Sequence, residues 1–231
     1  MQIHGFNKST LLDYPKHLAA TIFIGGCNMR CPFCHNASLV LAANTQPVIP
    51  EEEVLSYLAK RINILEGICI TGGEPTLYPE LIEFIIKIKA LGYKIKLDTN
   101  GTNPDLIKHL VRQRLIDYVA MDIKNSLESY SHTAGKDGFD TKPIEESVSF
   151  LLSGSLDYEF RTTLVNELHT SQDILLIGKW LEGAKAYYLQ AYKDSGDIIS
   201  PGFSCPSKET LLSYVQILTP YVKHVSLRGV V

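Results

Sequence analysis

The run Gly26-Cys27-Asn28-Met29-Arg30-Cys31-Pro32-Phe33-Cys34 gathers three thiols into one short segment of a 231-residue chain that has five cysteines. Three thiolates in a short loop can hold three irons of a four-iron, four-sulfur cluster. The fourth iron is then without a protein ligand and is open to substrate. Two other uses of these thiols compete with that reading. A closed zinc site takes four tetrahedral Cys or His ligands, and Cys69, Cys205 and His35 are the further donors on offer. Disulfides fit less well. The cysteine count is odd, and Met1-Gln2-Ile3-His4-Gly5 has neither the basic start nor the apolar core of a secretory leader. A reduced, cytoplasmic setting suits thiols used as metal ligands.

Further polar residues recur at regular intervals along the chain. Thr71-Gly72-Gly73-Glu74-Pro75, Asp98-Thr99-Asn100-Gly101 and Asp122-Ile123-Lys124 each follow a short apolar run, Arg161-Thr162-Thr163 lies on another, and Gln190 on the next. Singly, each has a bland reading: a turn at Gly72-Gly73, helix caps at Asp98 and Asp122, a solvated charge at Lys124. Together, beside a three-cysteine loop, they read as one site.

The elements that must position these residues follow from the apolar pattern. Strand-like runs at Ala19–Ile24, Gly67–Thr71, Tyr93–Asp98, Asp117–Asp122, Tyr158–Leu164 and Ala186–Tyr192 alternate with helical spacing at Glu51–Ile62, Pro79–Leu91, Pro104–Arg112, Pro143–Leu152 and Ser171–Leu181. A helix at Lys208–Leu218 and a last strand at Val222–Leu227 close the chain. The strands are continuous apolar runs, as in a parallel sheet covered by helices. About six βα units predict an α/β fold, a parallel and incomplete TIM-like barrel of (β/α)6 type, with an open doubly wound sheet as the alternative. In such a barrel the chemistry sits where strands end. One domain over residues 1–231 is expected, with a lead-in at 1–17, a barrel core at 18–192 and a loop, helix and strand at 193–231. A net charge of −3, with 45% hydrophobic and 20% charged residues, gives no sign of a nucleic-acid groove or a basic membrane surface. No apolar run approaches the ~20 residues of a bilayer span.

With the Cys27, Cys31 and Cys34 spacing and the Gly72-Gly73-Glu74-Pro75 strand end in place, the chain resembles the radical S-adenosylmethionine (SAM) superfamily and is expected to share its fold. More narrowly it resembles activating enzymes of glycyl-radical enzymes, in particular those of anaerobic (class III) ribonucleoside-triphosphate reductase. Thr10-Leu11-Leu12-Asp13-Tyr14-Pro15, Cys34-His35-Asn36, Asp98-Thr99-Asn100-Gly101, Met121-Asp122-Ile123-Lys124, Phe160-Arg161-Thr162-Thr163 and Tyr188-Leu189-Gln190 carry that narrower likeness.

The resemblance implies one 4Fe–4S cluster on Cys27, Cys31 and Cys34, with SAM chelating the open iron. The Gly73-Glu74 segment would receive the methionine ammonium through backbone carbonyls or the Glu74 carboxylate, and Gly72, Gly73 and Pro75 would shape that strand end. Phe33 would lie near the adenine. Lys124 and Arg161 would face the methionine carboxylate or the ribose, Asp122 the ribose hydroxyls, and Gln190 would lie at the SAM site. Asp98, Thr99 and Asp122, with the Ala120 carbonyl, match the cradle of a monovalent cation. The implied reaction is one-electron cleavage of SAM, followed by hydrogen abstraction from a glycine of a partner enzyme. The partner would be an anaerobic ribonucleotide reductase, with a flavodoxin or similar protein as electron donor. The competing functions are a radical SAM enzyme acting on a small molecule and a non-catalytic Fe–S or zinc protein. Gly72-Gly73-Glu74-Pro75 argues against the last, since an electron carrier has no need of it. Cys69 is expected in the core, Cys205 in a loop, and His35 as a neighbour of the cluster loop.

Overall fold

The computed structural model describes residues 1–230. Its strands are β1 (Ile3–Thr10), β2 (Ala19–Ile24), β3 (Gly67–Gly72), β4 (Lys94–Thr99), β5 (Tyr118–Asp122), β6 (Asp157–Leu164), β7 (Tyr187–Ala191) and β8 (Val225–Arg228). The helices are α1 (Ala37–Leu41), α2 (Glu51–Ala59), α3 (Leu81–Ala90), α4 (Pro104–Arg112), α5 (Tyr130–Thr133), α6 (Lys142–Leu152), α7 (Ser171–Trp180) and α8 (Lys208–Leu218). The strands form one sheet in the order β1-β2-β3-β4-β5-β6-β7-β8. Neighbours in sequence are neighbours in the sheet, as repeated βα units dictate. A doubly wound sheet would reverse its order at a switch point, so that alternative is excluded. The pairs β2–β3, β3–β4, β6–β7 and β7–β8 are parallel.

The N-terminus departs from the sequence expectation. Residues 1–17 are not merely a lead-in, because Ile3–Thr10 pairs antiparallel with β2. Only Ile3 of β1 is buried, so no apolar run betrays this edge strand. The turn after it is tied down by the Thr21 hydroxyl, which donates to the Asp13 carboxylate at 2.5 Å, and by the buried ring of Tyr14.

The chain divides into two compact units. The first comprises Met1–Asn28, Ser38–Ala120 and Ser155–Asp157. Its core holds Ile22 and Ile24 of β2, Ile68 and Ile70 of β3, and Ile95 and Leu97 of β4, all fully buried. Helix α3 adds Leu81, Phe84, Ile85 and Ile88, which the 3.6-residue period puts on one face. Each such side chain contributes about 1.5–3 kcal/mol on burial. The second unit comprises Met29–Ala37, Met121–Gly154 and Tyr158–Val231. Phe160 and Leu164 of β6, Leu189 of β7, and Ile174 and Ile177 of α7 are fully buried there. A capping box starts α7: Thr170 accepts from the Asp173 N–H, and the Asp173 carboxylate accepts from the Thr170 N–H. Among the described residues, no helix is long and apolar enough to cross a membrane.

Candidate active site

In the first unit the ends of β2, β3 and β4 are joined through backbone and one carboxylate. The Gly73 N–H donates to the Ile24 carbonyl and the Glu74 N–H to the Gly26 carbonyl, each at 2.8 Å. A Cβ on Gly72 would strike the Ile24 backbone, and one on Gly73 the Gly26 carbonyl. The two glycines therefore admit the chain that leads into the cysteine loop. Glu74 is fully buried. Its carboxylate accepts from the Thr76 N–H at 3.1 Å, the Thr76 hydroxyl at 2.5 Å, the Thr99 hydroxyl at 2.7 Å and the Asn100 N–H at 2.6 Å. Those four bonds match the roughly four acceptor positions of a carboxylate. Burial pushes the Glu74 carboxyl above its ordinary range, against the donated hydrogen bonds. Pro75, also buried, opens the 3-10 turn Pro75–Leu77 that Glu74 caps.

Asn100 extends this hub toward the first cysteine. Its side-chain amide donates to Asn28 Oδ1 at 2.9 Å and lies 3.9 Å from Cys27 Sγ, while its own Oδ1 accepts from the Thr102 hydroxyl at 2.7 Å. Asn28 in turn donates to Thr102 at 2.8 Å. Asp98 is ion-paired with Lys96, two residues earlier on the same face of β4. Lys96 is buried, and its ammonium lies 3.7 Å from the buried Cys69 thiol.

The second unit carries a charged cluster of its own. Asp122, at the end of β5, accepts from Arg161 Nε at 2.9 Å and from Lys124 Nζ at 3.1 Å. Burial alone would raise the Asp122 carboxyl, but the Arg161 and Lys124 cations overcome it and hold it well below the usual carboxylate range. Burial likewise works to lower the Lys124 ammonium. Asp122 and the Cys31 thiol outweigh that and raise it. Lys124 is held from behind by His169, whose Nε2 lies 2.9 Å from the Lys124 carbonyl, while Nδ1 is 3.1 Å from the Val165 N–H. Nδ1 also lies 3.2 Å from the Val165 carbonyl, and burial lowers the ring's pKa. Phe33, buried, sets its ring against His169 at 6.3 Å and Phe203 at 6.2 Å.

Of the residues expected from sequence, Cys27, Gly72, Gly73, Glu74, Pro75, Asp98 and Thr99 fall in the first unit, with the Ala120 carbonyl. Cys31, Phe33, Cys34, Asp122, Lys124, Arg161 and Gln190 fall in the second. Gln190 lies in register with Thr163 on β6 and Arg228 on β8. His35 is exposed, and its carbonyl accepts from the Ser195 hydroxyl at 3.4 Å. Cys205 is exposed in a loop. Sequence reasoning gave Asn28 and Asn100 no role and missed Lys96 and His169, and also a bidentate pair in the second unit. There Arg228 donates to the fully buried Glu159 at 2.8 Å through both terminal nitrogens and packs on the Tyr188 ring.

The donor set suits an iron–sulfur cluster. Cys27, Cys31 and Cys34 are in no disulfide. A side-chain N–H lies beside the Cys27 sulfur, and a buried ammonium shares the field of Cys31. Among the described residues no three His, Cys, Asp or Glu side chains are grouped as ligands of a single metal ion. The thiolates of a four-iron cluster each meet a different iron and need no such common point.

Likenesses to known proteins agree with this chemistry. Residues 21–142 match the Radical SAM superfamily. A protein of Methanocaldococcus jannaschii, provisionally named a glycyl-radical enzyme activating enzyme, is 32% identical over 99% of this chain and 96% of its own. A probable GTP 3′,8-cyclase of Thermococcus kodakarensis is 33% identical over 54% of this chain and 41% of its own. The crystal structure of a domain of pyruvate-formate lyase-activating enzyme from Bacteroides vulgatus superposes with a TM-score of 0.58 at 21% identity, covering 71% of this chain and 99% of that one. That likeness is one of fold, and it agrees with a parallel-dominated α/β sheet of partial-barrel type. With the family match spanning more than half the chain, and a full-length relative above 30% identity, the chain belongs to the radical SAM superfamily.

Proposed function

We propose that the protein is an activating enzyme that installs a glycyl radical on a partner enzyme, most specifically an anaerobic ribonucleoside-triphosphate reductase. The observation that carries this reading is the full-length likeness to the M. jannaschii relative. Cys27, Cys31 and Cys34 would hold one 4Fe–4S cluster. When bound, cluster and SAM supply one-electron cleavage of a carbon–sulfur bond, with the electron drawn from a flavodoxin or a donor like it.

The protein's own residues bind and orient. Lys124 and Arg161 present cations to a carboxylate, and the pairing with Asp122 fixes their geometry in advance, so little ordering is left for binding. With four donors already on the Glu74 carboxylate, backbone carbonyls of the Gly73-Glu74 segment would receive the SAM ammonium. Asn100 and the two glycines set the path of the loop that carries Cys27.

The second reading is a radical SAM enzyme acting on a small molecule. It is motivated by the GTP 3′,8-cyclase likeness, which spans only about half of either chain. The two readings part in one experiment. The reduced protein, SAM and a candidate glycyl-radical enzyme are mixed without oxygen. A glycyl-radical doublet should appear in the electron paramagnetic resonance of the partner and vanish when its radical-site Gly is changed to Ala. If no glycyl-radical protein is activated and a small metabolite is turned over instead, the second reading replaces the first.

A further inference from the structure

Tyr130 opens the short helix α5, which no apolar periodicity announces. The helix is tightly fixed. Asn125 donates to the Thr133 hydroxyl at 2.9 Å and to the Leu168 carbonyl at 2.7 Å. Ser126 and Ser129 both donate to Asp173 at 2.8 Å. At its far end α5 seizes the cysteine loop: the Arg30 N–H, one residue before Cys31, donates to the Ala134 carbonyl at 2.9 Å. Gly135 then adopts a φ of +64° so close to the Arg30 carbonyl that a Cβ would collide with it.

The Tyr130 ring is locked as well, stacked on Phe139 at 5.8 Å with Trp180 at its edge. Yet its hydroxyl, in a side chain with no solvent exposure, finds no acceptor for its proton; the one hydrogen bond that bears on it is donated to its oxygen by the Lys124 backbone. Buried donors are almost always paired, and one that is not calls for an explanation. Burial is the largest influence on this hydroxyl and raises its pKa; the charges that act on it are those of Lys124, Cys31 and Asp122.

We propose that Tyr130 is a positioning residue for the metal centre: with the cluster bound, its O–H donates to the Cys31 sulfur. This rests on the cluster assignment made above. A donor hydrogen bond favours the more negative, reduced state and so raises the reduction potential. A neutral hydrogen bond of ordinary strength would change the one-electron equilibrium constant by up to about tenfold, which is about 59 mV.

The test is a redox titration, followed by electron paramagnetic resonance without SAM, of wild type, Tyr130→Phe and Tyr192→Phe, all reconstituted with iron and sulfide. Tyr192 carries a buried hydroxyl with no hydrogen-bond partner and serves as the control. The expected result is full iron content in all three, a potential more negative by up to about 59 mV in Tyr130→Phe alone, and an apo-protein Tm no lower than wild type. An unchanged potential in loaded Tyr130→Phe overturns the inference. So does loss of the cluster from that variant, since the hydroxyl would then serve assembly rather than tuning. A wild-type protein that takes up no four-iron cluster overturns the functional reading instead.

Discussion

Two carboxylates at strand ends, Glu74 fully buried and Asp122 partly exposed, are held in opposite ways. Glu74, in the first unit, is surrounded by neutral donors: two backbone N–H groups and two hydroxyls. Asp122, in the second, is paired with two cations, Lys124 and Arg161. Their pKa directions diverge accordingly. Burial carries Glu74 upward, while Asp122 is driven down by its partners in spite of burial. A carboxylate saturated by neutral donors is fixed in place and has little capacity left for a ligand. One balanced by two cations leaves a net positive environment that an incoming carboxylate can enter. The first reads as architecture and the second is proposed as a binding surface, although both lie at the end of a β-strand and both look alike as sequence.

The largest break in this contrast should come from Glu74→Ala. It strands four donors in a fully buried place, at about 1–3 kcal/mol for each that finds no other partner. A loss of at least about 3 kcal/mol is expected, which for a chain of this size is a fall in Tm of about 6–12 °C. Thermal unfolding of the apo protein checks it, and a Tm within about 2 °C of wild type would sink the hub role.

Lys124→Met and Arg161→Ala should act on binding instead. Loss of a charge-assisted hydrogen bond of about 1.5–3 kcal/mol corresponds to SAM affinity weaker by about ten- to a hundredfold, with iron content unchanged. Calorimetric titration on the reconstituted protein reads both, and undiminished affinity in both variants would remove these cations from the SAM site.

Acid should distinguish the two carboxylates more gently. The folded Asp122 carboxyl titrates below its unfolded value, so the unfolded chain takes up the proton first. The stability this pairing contributes is complete above the ordinary Asp value of about 4 and is lost as the pH falls from there toward about 2. Asp122→Asn should flatten that part of the stability–pH curve. An unchanged slope would show that the pairing contributes nothing to folding.

The smallest effect expected is that of monovalent cations on SAM cleavage, the role that the family resemblance implies for Asp98, Thr99 and Asp122. Asp98 is already paired with Lys96, and Asp122 with its two cations. A change of no more than about twofold is anticipated between potassium and a bulky organic cation at constant ionic strength. Equal rates would assign these residues to hydrogen bonding alone.

Much of this contrast could be read in advance, and the unread part has physical causes. The runs at Ile68-Cys69-Ile70 and Val119-Ala120-Met121 are buried on both faces, so continuous apolar sequence located the strands, and their ends located Glu74 and Asp122. Strand β1 was hidden because it is an edge with one buried residue. Helix α5 was hidden because four residues cannot display a 3.6-residue period. Its signals were local: Ser126 and Ser129 ahead of it, and Gly135 just past its end, where a left-handed cap belongs. Asn28 and Asn100 stood in the motifs without a role because side-chain amides bond across loops that sequence spacing does not relate. Lys96 in β4 broke an apolar run and could have been flagged as a buried charge needing a partner.

The central claim is that Cys27, Cys31 and Cys34 support reductive cleavage of SAM. The most direct measurement is an anaerobic assay of the iron- and sulfide-reconstituted protein with dithionite and SAM, quantifying methionine and 5′-deoxyadenosine. The account predicts equal amounts of the two products, lost completely in Cys31→Ala and retained in Cys205→Ala. A protein that stays colourless on reconstitution, or that leaves SAM intact under these conditions, would contradict it.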